Sequence, residues 1–135
     1  MNYRNLVVVG VVCAGLAVVG CSSARDVEVS GKVTAPSTVA VGDKLVVEFI
    51  DVVGEGTDTK QSLAHTAELK APGDFKETVP LEGNEVVIRA IDDRNGDGKC
   101  SAGEAWGEAR AKVADDKVEP VSLVLGTAAC PADVE

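Results

Sequence analysis

Apolar and polar residues alternate along most of the chain after position 26, in segments too short for typical helices. Because successive side chains of a strand point to opposite faces, an apolar residue at every second position predicts a half-buried β-strand. For Ser62–Leu69 a helical turn is the alternative, and we favour a strand. The predicted strands are Val27–Val33, Leu45–Val53, Ser62–Leu69, Phe75–Leu81, Glu85–Asp92, Ala105–Val113 and Val118–Leu125.

Residues that favour turns separate these segments. Glycine, proline and the short polar residues adopt the backbone conformations of tight turns readily. About seven short strands joined in this way predict an all-β fold, a single immunoglobulin-like sandwich over residues 27–127. Residues 128–135 would form a C-terminal tail. The turn segments are Pro36-Ser37, Gly42-Asp43, Gly54-Glu55-Gly56, Pro72-Gly73-Asp74, Glu82-Gly83-Asn84 and Asp115-Asp116.

The N-terminal segment differs in character from the rest of the chain. Arg4 precedes Leu6–Gly20, a run of 15 apolar and small residues. As a helix this run would be roughly 22 Å long, short of the roughly 30 Å hydrocarbon core of a bilayer. A positive start followed by a short apolar run is typical of a secretory signal peptide, so residues 1–20 are predicted to be cleaved.

The apolar run ends in Val18-Val19-Gly20-Cys21, which resembles the lipobox of bacterial lipoproteins. The resemblance implies cleavage before Cys21, attachment of lipid to that cysteine and a short tether over residues 21–26. It also implies a protein of the cell envelope that has the membrane as a partner through its anchor. Ser22 stands where an aspartate favours the inner membrane, which implies the outer membrane in a Gram-negative cell. An ordinary secretory signal with a chance cysteine is the alternative.

The chain is strongly acidic, with 13 basic and 22 acidic side chains and a net charge of −9. Arg4 is the only charged residue in the predicted signal peptide, so the remainder carries a net charge of −10. This balance disfavours nucleic acid as a partner, since binding phosphates requires a basic surface. It fits cation binding, and solubility alone also explains an acidic surface.

One segment has the spacing of a metal-binding loop. Residues 93–104 match D-x-N-x-D-G-x5-E, the pattern of the twelve-residue EF-hand-type calcium loop. This spacing places carboxylate or amide oxygens at loop positions one, three, five and twelve, and a glycine at position six, where the chain reverses sharply. The predicted ligands are Asp93, Asn95, Asp97, Lys99 through its backbone carbonyl, Ser101 and Glu104.

Calcium is the cation expected in this loop. It prefers six to eight oxygen ligands, whereas so many protein oxygens would crowd the smaller shell of magnesium. A single loop predicts a structural ion with a dissociation constant on the order of 10⁻⁴–10⁻³ M. The alternative is a turn rich in aspartate and asparagine, whose carboxylates accept hydrogen bonds from backbone amides without a metal.

Four cysteines are present, of which Cys13 lies in the predicted signal peptide and Cys21 in the lipobox. The other two, Cys100 and Cys130, would lie in an oxidising compartment, which favours one disulfide between them. This bond would join position eight of the loop to the C-terminal tail. Two free thiols are the alternative.

The order strand, metal loop, strand resembles bacterial sandwiches of the transthyretin-like and carboxypeptidase-regulatory-like type. The residues that carry the resemblance are Gly73-Asp74-Phe75, Val79-Pro80-Leu81 and Val86–Gly98, so it covers residues 73–113. It implies a transthyretin-like sandwich. The loop departs from the family pattern at Cys100, where an aliphatic residue normally packs inward.

No nucleophile elbow, phosphate loop or zinc-protease motif occurs in the sequence, and the single histidine, His65, has no recognisable catalytic partners. We therefore predict a non-enzymatic envelope module, stabilised by calcium, with a structural or protein-interaction role. The alternative is a calcium-dependent glycan-binding module in which Trp106 stacks on sugar, although we expect Trp106 to cover the sandwich core. An envelope hydrolase is the least favoured alternative.

Overall fold

A computed structural model describes residues 23–134; the predicted signal peptide and Cys21 lie outside the described residues. The described part of the chain contains no helix, and so none that is long and apolar enough to cross a membrane. The prediction of an all-β fold is confirmed. The strands are β1 (Arg25–Thr34), β2 (Leu45–Val53), β3 (Lys60–Leu69), β4 (Asp74–Leu81), β5 (Glu85–Asp92), β6 (Trp106–Ala114), β7 (Lys117–Val118) and β8 (Val121–Val124).

Most strands lie where the alternating and continuous apolar patterns placed them. The predicted boundaries Leu45–Val53 and Glu85–Asp92 are those of β2 and β5, and Ser62–Leu69 lies within β3. The predicted strand Val118–Leu125 is instead two short strands, β7 and β8. Pro120 lies between them, and proline has no backbone N–H to donate to a neighbouring strand.

The strands form two layers joined through β6. One layer, here called the β2 sheet, has the order β3-β2-β5-β6 and is antiparallel throughout. In the other, the β1 sheet, β1 lies between its antiparallel neighbour β4 and the parallel strands β7 and β8. The end of β6 also pairs with β7, which makes the layers continuous. This arrangement is compatible with the predicted sandwich.

The main core lies between the two sheets and is built largely from aliphatic residues. On β5, Val86, Ile88 and Ala90 face this core, as the period of two along a strand requires. Val87 and Ile91, which point to the other face of the same strand, are also buried. Burial on both faces explains why β2 and β5 are apolar at nearly every position.

The two ends of the domain are distinct. Where β5 begins, the Arg25 guanidinium donates to the backbone oxygens of Glu82 (3.3 Å) and Gly83 (3.0 Å) and to the Asp116 carboxylate (3.0 Å). The sheet therefore begins two residues inside the predicted tether and is fixed there to two turns. Residues 93–104 follow the other end of β5, about 25 Å away for eight extended residues.

Candidate metal centre

The predicted metal loop, residues 93–104, connects β5 to β6. Backbone hydrogen bonds close its base: the Asp92 N–H donates to the Ala105 carbonyl (2.8 Å), and the Asp93 N–H to the Lys44 carbonyl (3.1 Å). Positive φ at its glycines turns the loop back on itself, a conformation that residues with a Cβ atom seldom adopt. These glycines are Gly96, Gly98 and Gly103.

Glu104, at the twelfth loop position, is buried, with 6% of its surface exposed. Its Oε1 accepts hydrogen bonds from the backbone N–H groups of Arg94 (2.9 Å) and Asn95 (3.3 Å). Its Oε2 accepts one from the backbone N–H of Ser101 (2.8 Å). Because Ser101 and the Arg94-Asn95 pair belong to opposite halves of the loop, this one carboxylate holds the halves together.

Asp93, at the first position, is a second buried carboxylate. Its Oδ1 accepts from the Gly96 N–H (2.9 Å) and its Oδ2 from the Gly98 N–H (3.1 Å). The Lys44 ammonium lies 3.4 Å from the same Oδ2. Hydrogen bonding to Asp93, and then to Glu68, raises the pKa of Lys44 above its ordinary value. Lys44 is therefore a cationic neighbour of the loop that the loop pattern does not reveal.

Asn95, Asp97 and Ser101 bring their side chains together at the exposed surface of the loop. Asn95 Nδ2 lies 3.0 Å from Asp97 Oδ2 and 3.1 Å from Ser101 Oγ. The Lys99 N–H donates to Asp97 Oδ1 (2.8 Å), and this bond is the main cause that lowers the pKa of Asp97. Rotation of the Asn95 amide would exchange its nitrogen for its oxygen, a ligand atom, at the same place.

The predicted ligands therefore lie in one turn, where their carboxylates are bonded to backbone amides. Within residues 23–134 no group of three or more His, Cys, Asp or Glu side chains is arranged to hold a metal ion. This hydrogen bonding is that of the aspartate- and asparagine-rich turn. The donors fit calcium in kind, because carboxylate, amide, hydroxyl and carbonyl oxygens are its preferred ligands. Binding would require Asp93 and Glu104 to exchange amide partners for the ion.

A disulfide joins Cys100 in the loop to Cys130, with Cα atoms 5.6 Å apart, which confirms the predicted pairing. The Cys130 sulfur also lies 3.2 Å from the Ser101 carbonyl oxygen, a contact without a hydrogen bond because a disulfide sulfur carries no proton. The two cysteines are 30 positions apart in sequence. Closing a loop of this size contributes about 3–4 kcal/mol to the free energy of unfolding in the chain-entropy model.

The residues after the last strand return across the outer face of the β2 sheet, the face that points away from the main core. The Trp106 indole N–H donates to the Ala128 carbonyl (3.0 Å), and the Arg89 guanidinium donates to the Ala132 carbonyl (3.4 Å). We call residues 128–134 the C-terminal strap. Trp106 thus contacts the strap, whereas the sequence placed it over the sandwich core.

A buried cation, Arg89, lies on this outer face. Its guanidinium is 3.5 Å from the Glu48 carboxylate, 3.2 Å from that of Glu108 and 6.0 Å from the Trp106 ring centre. Burial raises the pKa of Glu48 above its ordinary value, against the opposing attraction of Arg89. Register places Arg89 directly opposite Glu48 on β2 and Glu108 on β6. Charged residues at outward positions of three adjacent strands are the sequence signal that identifies this cluster.

Glu48→Gln is expected to change how stability depends on pH. The pKa of Glu48 is higher in the folded chain than its ordinary value of 4.5. The protonated form of Glu48 therefore stabilises the folded chain, and this contribution is complete below about pH 4.5. Its contribution is lost as the pH rises through the folded pKa. The free energy of unfolding of the wild type, relative to the variant, should therefore fall as the pH rises above about 4.5 in urea titrations. A constant difference would contradict this; Glu119→Gln, an exposed carboxylate, is the control.

His65 joins the free edges of the two sheets. Its Nε2 lies 3.3 Å from Glu77 Oε2 on β4, and its ring centre lies 5.6 Å from that of Phe49. Both side chains are about one-third exposed. His65 therefore bridges β3 and β4.

No protein-family model, curated protein or solved structure matches the chain. The class that the described residues define is an all-β domain with a carboxylate-rich loop and a C-terminal segment held by a disulfide.

Proposed function

We propose that this chain is a lipid-anchored protein of the cell envelope whose β-domain is stabilised by calcium in the loop after β5. It would serve as a structural or protein-interaction module, in the outer membrane if the cell is Gram-negative. One observation carries the calcium proposal. Two buried carboxylates, Asp93 and Glu104, lie in the same turn as the clustered polar side chains at loop positions three, five and nine.

The ion would supply positive charge where the chain concentrates negative charge. Three carboxylates in one twelve-residue turn repel one another, and a bound divalent cation removes that repulsion. The loop is tied to the strap at Cys100 and lies between two paired strands, which favours a structural role over a signalling one. The residues that would hold the ion are Asp93, Asn95, Asp97, Lys99 through its carbonyl, Ser101 and Glu104.

Two features support the envelope location and the anchor at Cys21. A disulfide such as Cys100–Cys130 is typical of oxidising compartments. Arg25 already belongs to the sheet, and the four residue-to-residue steps from Cys21 to Arg25 span at most about 14 Å. Lipid at Cys21 would therefore hold the domain close to the membrane, with loop 93–104 facing away from it. An envelope protein or glycan would bind at the end of the domain that carries loop 93–104.

The family relationship remains part of the proposal. The strand, loop, strand order of β5, residues 93–104 and β6 supports a sandwich of the transthyretin-like or carboxypeptidase-regulatory-like type. The parallel pairing of β1 with β8 and the continuity of the sheets through β6 are topological features that members of the same family should share.

Calcium is expected to raise the melting temperature of the full chain in detergent micelles. For a dissociation constant on the order of 10⁻⁴–10⁻³ M, about 10 mM calcium would stabilise the fold by about 1.4–2.7 kcal/mol. This corresponds to an increase of about 5–15 °C for a domain of this size. Circular dichroism melts with calcium and with a chelator, at constant ionic strength, measure the shift.

Asp97→Ala should abolish the calcium-dependent shift, because it removes a ligand and leaves the hydrogen bonds of Glu104 in place. Asp58→Ala, which removes an exposed carboxylate from the turn after β2, should retain the full shift. Wild-type melts that overlap with and without calcium would refute the proposal. A shift that persists in Asp97→Ala would place the ion outside this loop.

A further inference from the structure

The C-terminal strap covers an apolar strip on the outer face of the β2 sheet. Val134 packs on a cluster of three side chains, Ile50 and Val52 of β2 and Val87 of β5. All three are buried, although they point away from the main core. This outer strip, Ile50, Val52 and Val87, is separate from the core between the sheets.

Beyond the disulfide, the contacts that hold the strap are individually weak. The Lys99 ammonium lies 3.1 Å from the Asp133 carboxylate, and both side chains are more than half exposed. Exposed ion pairs of this kind contribute little to stability. The hydrogen bond from Arg89 to the Ala132 carbonyl is long, at 3.4 Å, and Val134 is only half-buried.

Because these contacts are weak, the disulfide is the main link that holds the strap on the outer strip. By joining Cys130 to Cys100, it keeps the strap near the outer strip and makes docking an intramolecular step at high effective concentration. Without that link, the strap is held by its contacts with Trp106, Arg89, Lys99 and the outer strip. The chain before it is fixed at Gly126, which pairs with Trp106 at the start of β6. Weak contacts then have to overcome the conformational entropy of a free segment.

We propose that the Cys100–Cys130 disulfide is a redox latch that keeps the strap over the outer strip. A dithiol reductant would transfer two electrons and two protons to the bond, forming two thiols on the protein and a disulfide on the reductant. The strap then leaves the strip, and Ile50, Val52 and Val87 become accessible. The two sheets stay folded, because the main core contains no residue of the strap.

Hydroxyl-radical footprinting of the full chain in lipid nanodiscs tests the latch, since it measures the solvent exposure of individual side chains. Dithiothreitol scavenges hydroxyl radicals, so the protein is reduced, its new thiols are alkylated and the reductant is removed before labelling. The labelling of Ile50, Val52 and Val87 should then rise several-fold. Labelling of Val27 and Val79, which are wholly buried between the sheets, should not change. Quenching of the single tryptophan by acrylamide should increase in parallel, because the strap contacts its indole N–H.

Variants separate loss of the latch from loss of the fold. Cys100→Ser combined with Cys130→Ser should show the raised labelling without reductant and no further change with it. Val134→Ser should raise strip labelling with the disulfide intact, whereas Val124→Ser, at a site 57% exposed on β8, should not. Mass spectrometry confirms that the two thiols have formed. If labelling of the outer strip is then unchanged, the proposal is overturned. A rise at Val27 and Val79 would overturn it too, because it would mean global unfolding.

Discussion

Glu104→Ala is expected to lower the free energy of unfolding by about 3 kcal/mol in calcium-free buffer. The Glu104 carboxylate accepts hydrogen bonds from the backbone N–H groups of Arg94, Asn95 and Ser101. Alanine leaves three partly buried donors without their acceptor and separates the halves of the loop. Hydrogen bonds to charged groups contribute roughly 1.5–3 kcal/mol each, and water will replace part of that loss. Urea denaturation with a chelator present measures the change.

Asp97→Ala provides the matched comparison within the same loop. Its carboxylate is exposed, so water replaces its hydrogen bonds, and without calcium the variant should be destabilised far less than Glu104→Ala. Both variants should lose the response to calcium. Glu104→Gln, which retains one acceptor oxygen, should fall between the two. Equal destabilisation by Glu104→Ala and Asp97→Ala in the chelator would show that the buried hydrogen bonds do not support the loop.

Phe49→Ala is expected to lower the free energy of unfolding by about 3–5 kcal/mol. Phe49 is wholly buried, and its ring packs edge-on against that of Phe75, with centres 5.9 Å apart. The described domain has few other aromatic side chains, so its neighbours are mostly small and aliphatic. Such a core cannot close around the resulting cavity without moving the strands. For a domain of typical stability, this loss is a large fraction of the total.

The matched controls for Phe49→Ala test the cavity explanation. Phe49→Leu keeps most of the volume and should lose less, about 1–2 kcal/mol. Leu63→Ala removes a large apolar side chain that is 40% exposed and should have a minor effect. If urea titrations gave the same loss in free energy of unfolding for Phe49→Ala as for Phe49→Leu, the cavity explanation would be wrong.

Local sequence patterns predicted the strands and the disulfide. The boundaries of β2 and β5 follow from short, largely apolar runs between turn residues, the pattern of strands that are buried on both faces. The pairing of Cys100 with Cys130 follows from elimination among four cysteines. Within the predicted strand Val118–Leu125, Pro120 is the sequence signal for the break between β7 and β8, because proline cannot donate a backbone hydrogen bond to a neighbouring strand.

Local sequence patterns do not predict contacts between residues that are far apart in the chain. The strap follows the last strand and still lies over the middle of the β2 sheet, where Arg89 binds its backbone. Nothing local distinguishes such a segment from a free tail. Likewise, Lys44 approaches Asp93 only because β2 begins beside the end of β5. Both contacts require strand register, which alternation alone does not provide.

The interior position of β1 has a mechanical consequence for a domain tethered through its N-terminus. Tension on the tether would enter at Arg25 and run along β1, which is hydrogen-bonded to β4 on one side and to β8 on the other. Such a pull shears two rows of bonds that resist together, whereas an edge strand pulled sideways unzips one bond at a time. If the chain is anchored at Cys21 as proposed, the strand nearest the anchor is also one that is hydrogen-bonded on both sides, which suits it to withstand force.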